Sequence, residues 1–172
     1  MLSVRSANMD DVHSLFSDLS EISTAEVNAD CGSWWKALPK VAKLLLLPDS
    51  QTDVLLDESG TRLAIFGHYP SKRPNIRTTW FVFSKPFIAR GLAATRLARR
   101  YLKTLQLSYP ETEFHSYTES THPHRDRWFV LIGMDVRGTT KSGGGHYVLA
   151  ETHKISDLEP YGLYNPPNPR AS

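Results

Sequence analysis

Apolar positions along the chain follow two rhythms, one of three and four residues and one of two. After the short alternating stretch "LSVRSA", Val12, Leu15, Phe16 and Leu19 recur at helical spacing, which predicts a strand and then a helix. Asn8 suits the N-cap, with Asp10 and Asp11 in the first turn where the helix dipole favours negative charge. "CGSWWKALPKVAKLLLL" reads as helix in two pieces, because Pro39 removes a hydrogen bond inside one helix but suits the start of a second.

Residues 52–58 and 61–69 are apolar strands joined across Ser59-Gly60, a hairpin signal. "IRTTWFVFS" is β-branched and aromatic on both alternations, as a central strand is. A break follows at Lys85 and Pro86. Ala94, Leu97, Ala98, Tyr101, Leu102 and Leu105 then mark an amphipathic helix that ends near Tyr109-Pro110. "EFHSYTES" alternates as a strand, residues 121–132 form a short helix stopped by Gly133, and "MDVRGTTKSGGGHYVLAETH" reads as two strands with a glycine-rich connection. The order β, α, α, β, β, β, α, β, α, β, β predicts one mixed α/β domain over residues 1–152. The proline-rich residues 153–172 form a tail expected to pack on the domain or on a partner.

Composition changes this picture little. A chain of 172 residues with 40% apolar content has room for a proper core. "LLLL" at 44–47 falls far short of the ~20 residues that cross a bilayer. Cys31 is the single cysteine and "MLSVRSANMDD" has no leader pattern, so a cytoplasmic location is expected. The net charge of +2 is too mild to name nucleic acid as the partner. Its distribution says more: Arg90, Arg96, Arg99, Arg100 and Lys103 share a stretch without any acid, a field that favours an anion.

That stretch begins where a buried strand gives way to a helix, and the first amides of such a helix have no partner of their own. The turn "ARGLAAT", residues 89–95, offers small residues at Gly91, Ala93 and Ala94, so a diphosphate can approach the backbone. Together with the element order, it resembles the GCN5-related N-acetyltransferases, which transfer an acyl group from coenzyme A to an amine. Their turn reads Arg or Gln, two residues, Gly, one residue, then Gly or Ala. Here Arg90 matches the first position, Ala93 stands for the first glycine and Thr95 for the last residue. Downstream, Gly133 matches the glycine that follows the last helix, while Phe129 and His122 fall where that family carries Tyr and Asn. "RWFVLIG" is also similar to small acetyltransferase-like proteins of tailed bacteriophages.

The resemblance implies a mostly antiparallel twisted sheet of about seven strands with helices on both faces. It implies acetyl-CoA held by Phe81, Val82 and Phe83 on the central strand, by Arg90, Gly91, Leu92, Ala93, Ala94, Thr95 and Arg96 on the turn, and by His122. A backbone N–H near Phe81 to Phe83 would hold the thioester carbonyl. Attack by the amine of a small molecule or protein requires a proton acceptor. Glu119 is ranked first for that role, then His122, with His68 and Glu26 on other walls; for each, an ordinary solvated or hydrogen-bonded role competes. The absent tyrosine motivates a rival, a binding protein on the same fold that contacts or inhibits a partner. Trp34 and Trp35 would be its anchor, or core. No histidine or cysteine spacing marks a metal site.

Overall fold

A computed structural model describes residues 2–141 and 143–149 of the chain. The predicted tail and the end of the predicted domain, residues 150–172, lie outside the described residues. Seven strands form one sheet: β1 (Ser3–Ser6), β2 (Gln51–Leu56), β3 (Arg62–Pro70), β4 (Ile76–Phe83), β5 (Glu113–Thr118), β6 (Met134–Thr139) and β7 (Gly145–Leu149), in the order β1-β2-β3-β4-β5-β7-β6. Every pairing is antiparallel except β4 with β5. The helices are α1 (Met9–Phe16), α2 (Glu21–Cys31), α3 (Trp34–Leu46), α4 (Lys85–Ala89), α5 (Leu92–Ser108) and α6 (Arg125–Leu131). None is long and apolar enough to cross a membrane.

The central strand is buried between two cores because its residues alternate. Phe81 and Phe83 face α5 and α6, joining Phe66, Ala98, Tyr101, Leu102, Phe129 and Tyr147. Trp80 and Val82 face α1–α3, joining Val12, Phe16, Val27, Val41 and Ile65. Asn8 caps α1 as expected, in a reciprocal box with Asp11. Gly133 ends α6 at a φ of 98°, a conformation that costs glycine little.

Two helices differ from expectation. Residues 34–46 form one helix with Pro39 inside it. The carbonyl that Pro39 leaves unpaired belongs to Trp35, a residue that is 60% exposed. Trp34 is exposed too, which rules out core packing for the pair. The apolar spacing predicts no element over residues 21–31, yet α2 forms there on a weak apolar face that buries only Ser23 and Val27. Ser20 caps it by accepting the Ser23 N–H, and Gly32 closes it at a φ of 78°.

Candidate active site

The parallel ladder between β4 and β5 runs from Ile76↔Glu113 to Thr79↔Ser116 and stops, although β4 continues to Phe83 and β5 to Thr118. Past that point the two strands part. Odd-numbered residues of β4 turn their backbone groups toward β5, because Asn75 O accepts from Glu113 N–H at the start of the ladder. The Phe81 N–H therefore lies on the parting edge just beyond the last pair. Val82 turns the other way, into the ladder with β3. Phe83 is already engaged: its N–H donates to Ser23 Oγ (2.8 Å) and its carbonyl accepts from Ser20 N–H (2.9 Å). Of the three amides expected to serve a thioester, only that of Phe81 has no partner among the described residues.

On the α5–α6 face, aromatic rings cover this edge. Trp128 of α6 packs edge-on against Phe81 and Phe83, at 5.6 and 5.0 Å between ring centres, and Phe87 stacks on Phe83 at 4.6 Å. The cavity beside them, lined by Phe66, Phe81, Phe83, Leu97 and Tyr101 among others, measures about 10 Å³. A wider recess of about 290 Å³ lies between α1, α2 and the start of α3.

The turn before α5 is exposed, and a side chain added at Gly91 would meet no atom within 4 Å. Its amides are partly spent. Arg90, Gly91, Ala93 and Thr95 donate to Phe87, Ile88, Arg90 and Gly91 carbonyls, because the short helix α4 precedes the turn and passes its own bonding on. Leu92 and Ala94 donate to no backbone carbonyl among the described residues. The Arg90 side chain pairs with Asp57 on the β2–β3 turn (3.0 Å), whereas Arg96 has no ion-pair partner among the described residues. Two amides and Arg96 thus remain for an anion, fewer than the sequence promised.

Of the predicted proton acceptors, Glu119 accepts from Thr140 Oγ1 (3.0 Å), which ties the loop after β5 to the β6–β7 connection. Ser142 of that connection lies outside the described residues. The His122 Nδ1 accepts from the His124 N–H (3.2 Å) and organises its own loop. His68 belongs to the core: it is fully buried between Tyr109 and Phe114, accepts from Arg77 Nε (2.8 Å), and is driven down to about 3 by burial and then by Arg77. That placement removes it as a candidate.

Glu26, named last by the sequence, stands best placed. One turn along α2 from Ser23, it accepts the hydroxyl of Thr118 at the end of β5. Through these two residues α2 bridges the parted strands, with Ser23 on β4 and Glu26 on β5. Burial raises the Glu26 pKa, against the bond from Thr118, the charge of Arg125 and the amide of Ser120. Ser20, Ser23, Thr118 and Arg125 escaped sequence reading, since none carries a motif. The serine preceding Glu21 was the one usable signal, an N-cap for an unassigned helix. Tyr147 escaped as well: it brings a phenol from β7 onto the face of Phe129 (ring centres 3.9 Å apart) and donates to Asp126.

No protein-family model and no curated protein matches the sequence. Solved structures do match its fold. The aminoglycoside acetyltransferase AAC(6')-Ib in complex with coenzyme A superposes with a TM-score of 0.62 over 86% of this chain and 93% of its own, at 14% identity. A GNAT-family acetyltransferase from Streptococcus pneumoniae gives 0.58 over 86% and 96% at 15% identity. A variant of the spermidine N-acetyltransferase SpeG from Vibrio cholerae gives 0.60 over 86% and 92% at 9% identity. None of these neighbours points to a bacteriophage origin. At such identities the likeness speaks for the fold alone: the sheet from β1 to β7, with helices on both faces, is that of the GCN5-related N-acetyltransferases.

Proposed function

We propose that this chain is an acetyl-CoA-dependent N-acetyltransferase. The observation that carries the reading is the parting of β4 from β5 at Thr79↔Ser116, which leaves the Phe81 N–H open in a fold whose solved examples hold coenzyme A. Acetyl-CoA supplies an activated acyl group as a thioester. The amides of Leu92 and Ala94 with Arg96 hold its diphosphate, and Arg90 joins them only by leaving Asp57. The Phe81 N–H polarises the thioester carbonyl. Glu26 handles a proton at the mouth between the strands, where burial raises its pKa and so favours its protonated form. Glu119 and His122 hold the surrounding loops in place.

The acceptor is an amine. The neighbours include complexes with ribostamycin and kanamycin and a spermidine acetyltransferase, so small polyamines are the first acceptors to try. α2, α3 and the β6–β7 connection wall the acceptor side. The expected setting is the cytoplasm, where acetyl-CoA is made.

The spent amides of the turn, the bonded Phe83 and the aromatic cover of Trp128 favour a second reading, a binding protein that has lost turnover. Calorimetric titration with acetyl-CoA, followed by mass spectrometry of acetylated amines, separates the two. Saturable binding with transfer supports the enzyme. Binding without transfer to any amine or host protein supports the rival, and no binding at millimolar acetyl-CoA overturns the enzyme reading.

A further inference from the structure

The recess between α1, α2 and the start of α3 measures about 290 Å³, close to the ~300 Å³ at which small-molecule pockets begin, so it has room for a single ring. It is separate from the parting of β4 and β5. Ser23 and Glu26 bond to β4 and β5 from α2, whereas Thr24, Val27 and Asn28 of the same helix line the recess. Its buried lining is apolar, made of Phe16, Leu19 and Val27.

The polar groups of the lining differ in what they still offer a guest. Ser17 Oγ donates its proton to Ser14 O (2.7 Å) and Thr24 Oγ1 to Ser20 O (2.8 Å), so both oxygens are left only to accept. The Asn28 side chain bonds to nothing among the described residues and offers an amide donor and a carbonyl acceptor. Lys85 adds donors, and because Asp18 answers its charge at 3.3 Å, the pair brings no net charge. Trp34 supplies a flat wall. It is 43% exposed, with Trp35 braced edge-on against it at 5.7 Å between ring centres.

A guest has to satisfy this set together. A wholly apolar ring would leave Ser17, Thr24 and Asn28 without partners once water is displaced, an anion brings no protons for the two spent hydroxyls, and a cation meets Lys85. A neutral ring with several hydroxyls meets every demand, because each hydroxyl both donates and accepts while the C–H face of the ring lies on the indole. We propose that this recess binds one neutral sugar ring. Trp34 is its stacking platform, Asn28 and Lys85 donate to its hydroxyl oxygens, and Ser17 and Thr24 accept from its hydroxyl protons. The site is independent of acetyl-CoA and of the Phe81 amide.

Titration of the full chain with methyl glucoside, methyl galactoside and methyl N-acetylglucosaminide, followed in ¹H–¹⁵N spectra, reads the site directly. At least one of these should shift the Trp34 indole N–H and the Asn28 side-chain amide with a millimolar Kd and leave the Phe81 amide unmoved. Trp34→Ala and Asn28→Ala, changes at exposed residues, should each weaken that binding about tenfold while the rest of the spectrum keeps its pattern. Trp34→Phe keeps a flat ring and should weaken it less. Glycosides that shift neither signal overturn the proposal, as does an affinity that Trp34→Ala leaves unchanged. Kanamycin, whose rings carry ammonium groups, should bind here more weakly than the neutral glycosides; a stronger response to kanamycin would make the recess an amine site and overturn the assignment to a neutral sugar.

Discussion

Two carboxylates, Asp11 at the β1–α1–β3 corner and Glu26 at the parting of β4 and β5, are shifted in opposite directions. Asp11 is fully buried, yet Arg5 meets both of its oxygens at 2.6 and 2.8 Å, Arg62 adds a bond at 3.0 Å and the Asn8 amide another. Burial alone would raise its pKa, and these bonds overcome it and hold Asp11 at about 2. Glu26 has a hydroxyl and an amide but, among the described residues, no cation bonded to it, so burial prevails and the pKa rises. A carboxylate saturated with cations joins elements together. One left short of them yields to burial, which favours its protonated form.

The comparison breaks first at Asp11. Asp11→Ala strands two arginines and unpins β1, α1 and β3 from one another, which should cost about 4 kcal/mol in urea unfolding. A loss below about 1 kcal/mol would mean the corner is held by Val12 and Leu15 instead. At the other site, Glu26→Gln keeps the shape and a bond to Thr118, so its stability should change by less than about 1 kcal/mol. Acetyl transfer to an amine should fall about a hundredfold, read as kcat/KM. Equal losses of stability and activity would make Glu26 a second Asp11.

Acid sharpens the contrast. Unfolded Asp11 takes up a proton below its ordinary pKa of 3.8, while the folded group resists until about 2, so its stabilisation of about 2 kcal/mol is present above pH 4 and lost as the pH falls toward 2. His68 works in the same sense from a higher start. Its unfolded imidazole charges below 6.5 and the folded one only near 3, so stability should begin to decline below about pH 6.5 in thermal melts across pH. Glu26 acts in reverse: with its pKa raised in the fold, its contribution grows on mild acidification. The smallest effect is expected from Ser23→Ala, which removes the bond to the Phe83 N–H at a cost of about 1 kcal/mol. Because it also frees that amide, acetyl-CoA should bind it no more weakly than the parent chain, as calorimetry would show.

Strands and the long helix were legible because their apolar residues repeat cleanly. "IRTTWFVFS" became β4, the fourth strand of seven, and the 92–108 helix ended at Ser108 beside the foreseen Tyr109-Pro110. Asn8 and Gly133 acted as read. What failed to show was α2, since only Ser23 and Val27 are buried on it and its role lies in polar bonds across the sheet. The site suffered from the same blindness. Its order along the sequence suggested Glu119 and His122; the bond between Thr118 and Glu26 joins residues 92 apart, a proximity that no local spacing encodes. The turn at residues 89–95 was found, but α4, which consumes part of its hydrogen-bonding capacity, was not.

The lone parallel pairing has a mechanical corollary. With β4 and β5 held together by only the pairs from Ile76↔Glu113 to Thr79↔Ser116, the sheet consists of two leaves, β1–β4 and β5–β7, hinged on a short spine. α2 is the clasp across their free margins, gripping β4 through the Ser20 amide and the Ser23 hydroxyl and β5 through the Thr118 hydroxyl. Unfastening that clasp would loosen the leaves on the α2 face alone, because Phe81, Phe83 and Trp128 still pack across the gap on the other face.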